Sequence, residues 1–330
     1  MAAFFFALNY RIVCTFEVTI SAPVKIFAYS DLSPALQSRL SLLLKDHEIH
    51  FKSGNSAEPP AEFLNGEILL GNPPKSWFST KNNLRFWQLD SAGFDQYSDV
   101  SVQFPVANMG DYFSVKCAET MVGGILAFYR GIHELVRLQT QSRWVGKPLR
   151  YEMDVLTGKK VIILGAGTIA QYIVKMMAGF DCNVLLSART NPAAHIRSLP
   201  ELKKQLADTM LVINTLPGKA DKYVNAEVID AMCDGTLYAS VGRGNTTDEG
   251  ALIRAIESGK LCGAVLDVTQ TEPLHVESPL WSMPNVILTQ HTGGGSKYED
   301  EGKVEMFVKN VTRFSSGERP ENEVNLKEGY

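Results

Sequence analysis

Lys159-Lys160-Val161-Ile162-Ile163-Leu164-Gly165-Ala166-Gly167-Thr168-Ile169-Ala170-Gln171-Tyr172-Ile173-Val174-Lys175-Met176-Met177-Ala178 decides the fold. An apolar strand, residues 161–164, stops at Gly165-Ala166-Gly167 and restarts as a helical run over residues 168–177. Gly165 permits the tight turn. Gly167 has no Cβ, so a pyrophosphate can approach the backbone N–H groups at the positive end of the helix dipole. Strand, turn and helix come in the order a dinucleotide site requires. Ala170 stands where the third glycine of G-x-G-x-x-G falls, a replacement that helix–strand packing accepts. A glycine string alone is often an ordinary loop; its place between strand and helix makes this one a phosphate site.

Downstream, strands are expected at 183–186, 211–214, 236–241, 262–268 and 286–288, with helices at 226–232 and 249–258. Their alternation predicts a doubly wound parallel sheet. Upstream, Val24-Lys25-Ile26-Phe27-Ala28 reads as a strand, followed by Ser33 as cap and Pro34 as opener of a helix to Leu44. Further strands are expected at 68–70, 84–89 and up to Ala107-Asn108, which predicts a second, smaller parallel α/β domain. Ser114 is placed to cap one long helix over 115–138, in which Ala118, Val122, Ile125, Leu126 and Tyr129 recur at helical spacing. Residues 141–157 read as an irregular arm carrying Trp144, Pro148 and Tyr151. A helix over 298–314 returns to the first domain, and the polar residues 315–330 read as a surface tail. Residues 11–20 are a candidate edge strand.

Composition is that of an ordinary globular chain: 330 residues, 45% hydrophobic and 21% charged, enough for two domains. A net charge of −4 with scattered basic residues argues against nucleic acid. The apolar start, residues 2–8, is too short to span a membrane and has no basic residue before it, so neither a membrane span nor export is expected. Cys14, Cys117, Cys182, Cys233 and Cys262 form no C-x-x-C pair and read as reduced residues of a cytoplasmic protein. His47, His50, His133, His195 and His275 show no metal-ligand grouping, and no metal is expected.

Three residues fall just past the carboxyl ends of successive strands: Arg243 in Val241-Gly242-Arg243-Gly244, Glu272 in Thr269-Gln270-Thr271-Glu272-Pro273-Leu274, and His291 in Gln290-His291-Thr292-Gly293. Ligands of open α/β sheets bind at that edge. An arginine grips a carboxylate with two prongs. A histidine gives or takes a proton near neutral pH, and a glutamate beside it stabilises the imidazolium. Taken singly, Arg243 reads as a turn-capping ion pair, Glu272 as a solvated loop acid and His291 as a hydrogen-bonded loop residue. Together, behind a dinucleotide turn, they suit hydride reduction of a 2-keto acid.

At this point the chain resembles the D-isomer-specific 2-hydroxyacid dehydrogenases, a family that includes glyoxylate/hydroxypyruvate reductases and phosphoglycerate dehydrogenases. The likeness spans roughly residues 24–314. It is strongest in Asn225-Ala226-Glu227, Gly242-Arg243-Gly244, Asp267-Val268, Glu272-Pro273-Leu274, Pro279-Leu280-Trp281, Pro284-Asn285-Val286 and His291. The resemblance implies Arg243 as substrate arginine and Glu272 with His291 as acid/base pair. It also implies Asp267 as a ligand of the nicotinamide carboxamide, and Ser91-Ala92-Gly93 as backbone donors to the substrate carboxylate from across the cleft. Gly165, Gly167, Thr168, Ile169, Leu216, Pro217 and Val241 complete the expected cofactor-binding set.

Cofactor choice has its own signal. An NAD site places an acid at the end of the second strand, for the ribose 2′-hydroxyl. Here Ala188 occupies that place, with Arg189 and Thr190 next, which favours NADP over NAD; Arg189 as a solvated loop residue is the competing reading. Departures from the family pattern are Asp181 before the second strand, a short loop at Pro217-Gly218-Lys219-Ala220-Asp221, Asn245 after Gly244, and the glycine-rich 292–295 segment.

The expectation is therefore an α/β chain of two doubly wound parallel-sheet domains. Residues 1–113 and 296–330 make a flavodoxin-like substrate domain, and residues 114–295 a Rossmann cofactor domain. Its partners are a small 2-keto or 2-hydroxy acid and, by the resemblance, a second copy in a homodimer through the 115 helix and the 141–157 arm. Two alternatives stay open: a non-catalytic dinucleotide-sensing regulator of the same fold, and an NAD-dependent dehydrogenase of another acid such as phosphoglycerate.

Overall fold

A computed structural model describes residues 23–328; the residue 11–20 strand, the apolar start and Cys14 lie outside the described residues. The chain opens with β1 (Lys25–Tyr29), α1 (Pro34–Leu43), β2 (Glu48–Phe51), α2 (Ala61–Asn65), β3 (Ile68–Gly71), β4 (Phe86–Gln88) and β5 (Val106–Ala107). These strands form one parallel sheet in the order β2-β1-β3-β4-β5. Ser33 caps α1 through the Leu36 N–H, with Pro34 in the first turn, as its sequence signature predicts. Sequence reading passed over β2, α2 and the later helix Leu199–Leu206.

The crossing into the second unit is made by α3 (Ser114–Tyr129) and α4 (Ile132–Thr140). The single long helix expected here is two, because Gly131 adopts a left-handed conformation (φ 62°) that no helix interior accommodates. Ser114 is not the cap; it lies inside the first turn, and its hydroxyl shares a 2.7 Å hydrogen bond with Thr168. α3 packs closely on the second sheet at Gly124, where a Cβ would lie 2.6 Å from Val265 Cγ1.

That second sheet comprises β6 (Lys160–Leu164), β7 (Asn183–Ser187), β8 (Leu211–Asn214), β9 (Thr236–Ser240), β10 (Leu261–Leu266) and β11 (Val286–Leu288), in the parallel order β11-β10-β9-β8-β6-β7. Its helices are α5 (Thr168–Ala178), α6 (Leu199–Leu206), α7 (Ala226–Asp230) and α8 (Glu249–Glu257). Buried apolar residues fill both faces: Val161, Ile163, Ala170 and Ile173 on one, Ile162, Leu164, Val212 and Leu252 on the other. Ala170 is fully buried, so a methyl fits where α5 meets the sheet. The predicted two-sheet α/β architecture is what the structure shows.

Finally α9 (Glu299–Ser315) returns to the first unit and contributes Val304, Phe307 and Val311 to its core. The tail lies on the surface, as its polar composition predicts, but it is docked at several points. Val324 N–H donates to Val106 O at 2.8 Å, Asn310 binds both Gln88 and the tail at Glu321, and Leu326 is buried. Among the described residues no helix is long and apolar enough to cross a membrane.

Candidate active site

The glycine turn has the conformation that phosphate binding needs. Gly165 sits at φ 111°, a region only glycine enters freely, and its missing Cβ leaves room for the Thr215 hydroxyl. Gly167 caps α5 with an extended backbone, and the space a Cβ would occupy there is open. The first-turn N–H groups of α5 thus face open space at the positive end of an eleven-residue helix. Thr168 is exposed and Ile169 half-buried beside it. A dinucleotide's pyrophosphate fits this cradle.

At the ribose end, β7 stops at Ser187 and Ala188 follows, its N–H bound to Ile196 O. Arg189 and Thr190 are exposed, and Arg189 has no carboxylate partner among the described residues. Tyr223 is half-buried near Ser187 and the Arg189 charge, and burial pushes its pKa up. Sequence reading missed Tyr223, since nothing in a single tyrosine shows which strand end it will reach. Leu216 and Pro217 follow β8, with Leu216 N–H held by Asn214 Oδ1. Val241 is a buried core residue.

The short loop after Pro217 is braced by the unusual Asn245, whose amide donates to Gly218 O (2.7 Å) and Asp221 Oδ1 (3.0 Å). Two of the sequence departures therefore form one structural unit.

Beyond β10, Asp267 is buried with Oδ1 accepting from the Thr289 hydroxyl (2.6 Å) and Gly293 N–H (3.0 Å). Gly293 is needed there, because a Cβ would meet Asp267 Oδ2 at 2.7 Å. The same loop holds His291, whose N–H binds Asp267 O at 2.5 Å and whose backbone is left-handed (φ 55°). That conformation is uncommon for residues with a Cβ, and histidine is, with asparagine and aspartate, among those that adopt it most often. It brings His291 Nδ1 to 2.6 Å from Glu272 Oε2, while Glu272 Oε1 accepts from Thr269 N–H at 3.0 Å. Both side chains are open to solvent, 52% and 36% exposed, as reacting groups must be.

Arg243 reaches from the cofactor sheet to the first unit. Its Nε donates to Asp95 Oδ2 at 3.0 Å and its Nη1 to Gly242 O at 3.1 Å, while Nη2 lies directly over Gly93. Asp95 was not anticipated: it stands 148 residues away in sequence. The Ser91-Ala92-Gly93 loop of the first unit thus lies against Arg243 of the second, and Glu272 and His291 follow the adjacent strands β10 and β11 at the same sheet edge. Chemically, a guanidinium beside backbone amides can grip a carboxylate, and an imidazole can offer a proton. Among the described residues no group of three or more His, Cys, Asp or Glu could hold a metal ion.

Comparison with known proteins identifies the family. Residues 122–293 match the model of the D-isomer specific 2-hydroxyacid dehydrogenase NAD binding domain. The glyoxylate reductase of Pyrococcus horikoshii is 34% identical over 232 residues, 67% of this chain and 69% of that one. A glyoxylate/hydroxypyruvate reductase A of Arabidopsis thaliana is 31% identical over 216 residues, 64% of this chain and 68% of that one. Among solved structures, a D-isomer specific 2-hydroxyacid dehydrogenase from Xanthobacter autotrophicus, in complex with NADPH and MES, superposes with a TM-score of 0.78 at 26% identity, covering 94% of this chain and all of that one. A nicotinamide dinucleotide is therefore the cofactor, and the chain belongs to the D-isomer specific 2-hydroxyacid dehydrogenase family.

Proposed function

We propose that this dehydrogenase reduces a small 2-keto acid of the glyoxylate or hydroxypyruvate kind to the D-2-hydroxy acid, with NADPH preferred over NADH. The observation that carries the reading is the 2.6 Å His291–Glu272 pair at the same sheet edge as Arg243, whose Nη2 lies over Gly93. The bound dinucleotide supplies the hydride. Glu272 engages Nδ1 of His291, which fixes the ring and leaves Nε2 to deliver the proton to the substrate oxygen. Arg243, held at Nε and Nη1, turns Nη2 toward the carboxylate and the carbonyl it polarises. Asp267, buried and anchored by Thr289 and Gly293, is proposed to keep one carboxylate edge for the carboxamide.

The substrate domain of this reading is residues 1–113 and 296–330, and the cofactor domain residues 114–295. Preference for NADPH rests on Ala188 in place of an acid and on the unpaired Arg189 beside the Ser187 and Tyr223 hydroxyls. The exposed Trp144, Tyr151 and Val155 of the arm, with Ile132 and Val136 of α4, support the proposal of a homodimer through this face.

The test is oxidation of NADPH and NADH by the purified protein against glyoxylate, hydroxypyruvate, pyruvate and longer 2-keto acids. Turnover with a short acid and a higher kcat/KM for NADPH are expected. Dinucleotide binding without turnover of any acid would replace this reading by that of a sensing regulator.

A further inference from the structure

The 91–93 loop is held by a set of hydrogen bonds that its own sequence does not announce. Ser91 O accepts from Met109 N–H (3.0 Å), Ala92 O from Asn108 Nδ2 (2.6 Å), and Gly93 O from Ser91 Oγ (2.7 Å). In a planar trans peptide the C=O and the following N–H point in opposite directions. Tying these three carbonyls into the first unit therefore turns the N–H groups of Ala92, Gly93 and Phe94 away from it. None of those three N–H groups has an acceptor among the described residues, and Gly93 lies under the Arg243 guanidinium. Successive unpaired backbone donors facing a cation make a concave site for an anion.

Asn108 is built into this arrangement on every side. It is 7% exposed; its N–H binds Asn322 O, its O accepts from Gln88, and its Oδ1 accepts from Gly110 N–H at 2.9 Å. It stands in the segment that crosses from β5 to α3, so one side chain connects that crossing to the loop. Asn72 acts in parallel: its Nδ2 donates to Ser91 Oγ at 3.0 Å, which leaves the Ser91 proton directed at Gly93 O.

We propose that Asn108 is a positioning residue for substrate: by holding the Ala92 carbonyl it aims the Gly93 N–H at the substrate carboxylate, while Asn72 orders the next peptide through Ser91. This rests on the reading that the 91–93 loop and Arg243 together bind that carboxylate. In this proposal Asn108 and Asn72 act through the loop, by the hydrogen bonds they make to Ala92 O and Ser91 Oγ.

The experiment compares Asn108→Asp, Ser91→Ala and Arg243→Ala in the full chain. Asn108→Asp keeps the acceptor for Gly110 N–H but sets a carboxylate oxygen against Ala92 O, and Ser91→Ala removes the bond to Gly93 O without adding charge. Each is expected to raise the KM for glyoxylate and the Kd for oxamate, a carboxylate analogue, by about tenfold, the scale of one charge-assisted hydrogen bond. Each is expected to leave kcat within threefold and the fluorescence-titrated Kd for NADPH unchanged, a split that general damage to the fold does not produce. If Arg243→Ala weakens oxamate binding while Asn108→Asp and Ser91→Ala both leave it within twofold, the positioning role is overturned. Unchanged oxamate binding in Arg243→Ala would instead overturn the carboxylate site and the role together.

Discussion

Replacing Gly93 by alanine adds one methyl group at the centre of the proposed site. The Gly93 backbone lies outside the left-handed region, so alanine meets no conformational penalty there. The obstacle is Arg243. A Cβ at residue 93 would overlap Nη2 and stand 2.7 Å from Cζ and 3.4 Å from Nε, whereas carbon atoms rest about 3.5–4.0 Å apart. The guanidinium must withdraw by roughly 1 Å at Cζ and further at Nη2, pivoting about the Nε–Asp95 bond. A displacement of about 1 Å of a positioning group costs on the order of 100-fold in rate. Gly93→Ala should therefore lower kcat/KM for glyoxylate about 100-fold, or about 2.7 kcal/mol of transition-state stabilisation. The half-exposed Arg243–Asp95 pair contributes no more than about 1 kcal/mol to folding, so Tm should fall by only a few degrees. Steady-state kinetics with NADPH, alongside a thermal melt and a dinucleotide titration, reads all three quantities. A kcat/KM within threefold of the parent protein would show that Arg243 does not act from this position.

Further predictions concern the proton, the cofactor and pH. His291→Ala should reduce kcat by about 10²–10⁴-fold, and Glu272→Gln, which keeps the shape but not the charge, by a smaller factor; a kcat within threefold in both would remove the pair from the reaction. Arg189→Ala and Tyr223→Phe should each bring the affinities for 2′,5′-ADP and 5′-AMP closer together by calorimetry, by about tenfold for the arginine; unchanged ratios would place the 2′-phosphate elsewhere. Burial pushes the Asp90 carboxyl above its usual range, despite the 2.8 Å bond from Ser30 and the nearby Lys303 charge. The folded chain then holds this proton more tightly than the unfolded one, so the contribution of Asp90 to stability falls as pH rises from the ordinary carboxylate value through the raised one. Asp90→Asn should accordingly raise Tm relative to the parent more at pH 8 than at pH 4; an equal difference at both would contradict the burial cost.

The elements that position the chemistry were legible because their signals are strong and local. The residue 161–178 segment combines an unbroken apolar strand, two glycines and an amphipathic helix, and Arg243, Glu272 and His291 are ionisable residues placed just past strand ends. Glu48–Phe51 was not legible: β2 is a four-residue edge strand, partly exposed, that among the described residues pairs only with β1. Short α6 carried a usable signal, Ser198 capping through the Glu201 N–H with Pro200 in the first turn, but it has only eight residues. The break at Gly131 was hidden because the apolar spacing runs on through it; backbone conformation, not side-chain pattern, ends α3. Asp95, Asn108 and Tyr223 were beyond reach for another reason. Each acts on a group brought near by topology, and one sequence holds no record of such pairs.

The first unit takes its core from both ends of the chain, and this has a consequence for how the protein is made. Val304, Phe307 and Val311 of α9 pack with Val24, Ile26 and Leu40, more than 260 residues earlier, so that core cannot close until nearly all of the chain has left the ribosome. Residues 114–295, by contrast, draw their sheet from one continuous stretch and can fold while synthesis is still in progress. Once they have, the loop-closure entropy that separates the two ends is already spent. The entry and exit segments lie together, with Tyr112 Oη donating to Tyr298 O at 3.0 Å and Gly294 packed against Phe113. The cofactor unit thus acts as a folding template for the unit that encloses it in sequence, and a lesion that slows its folding should leave the early strands β1 to β5 exposed to aggregation.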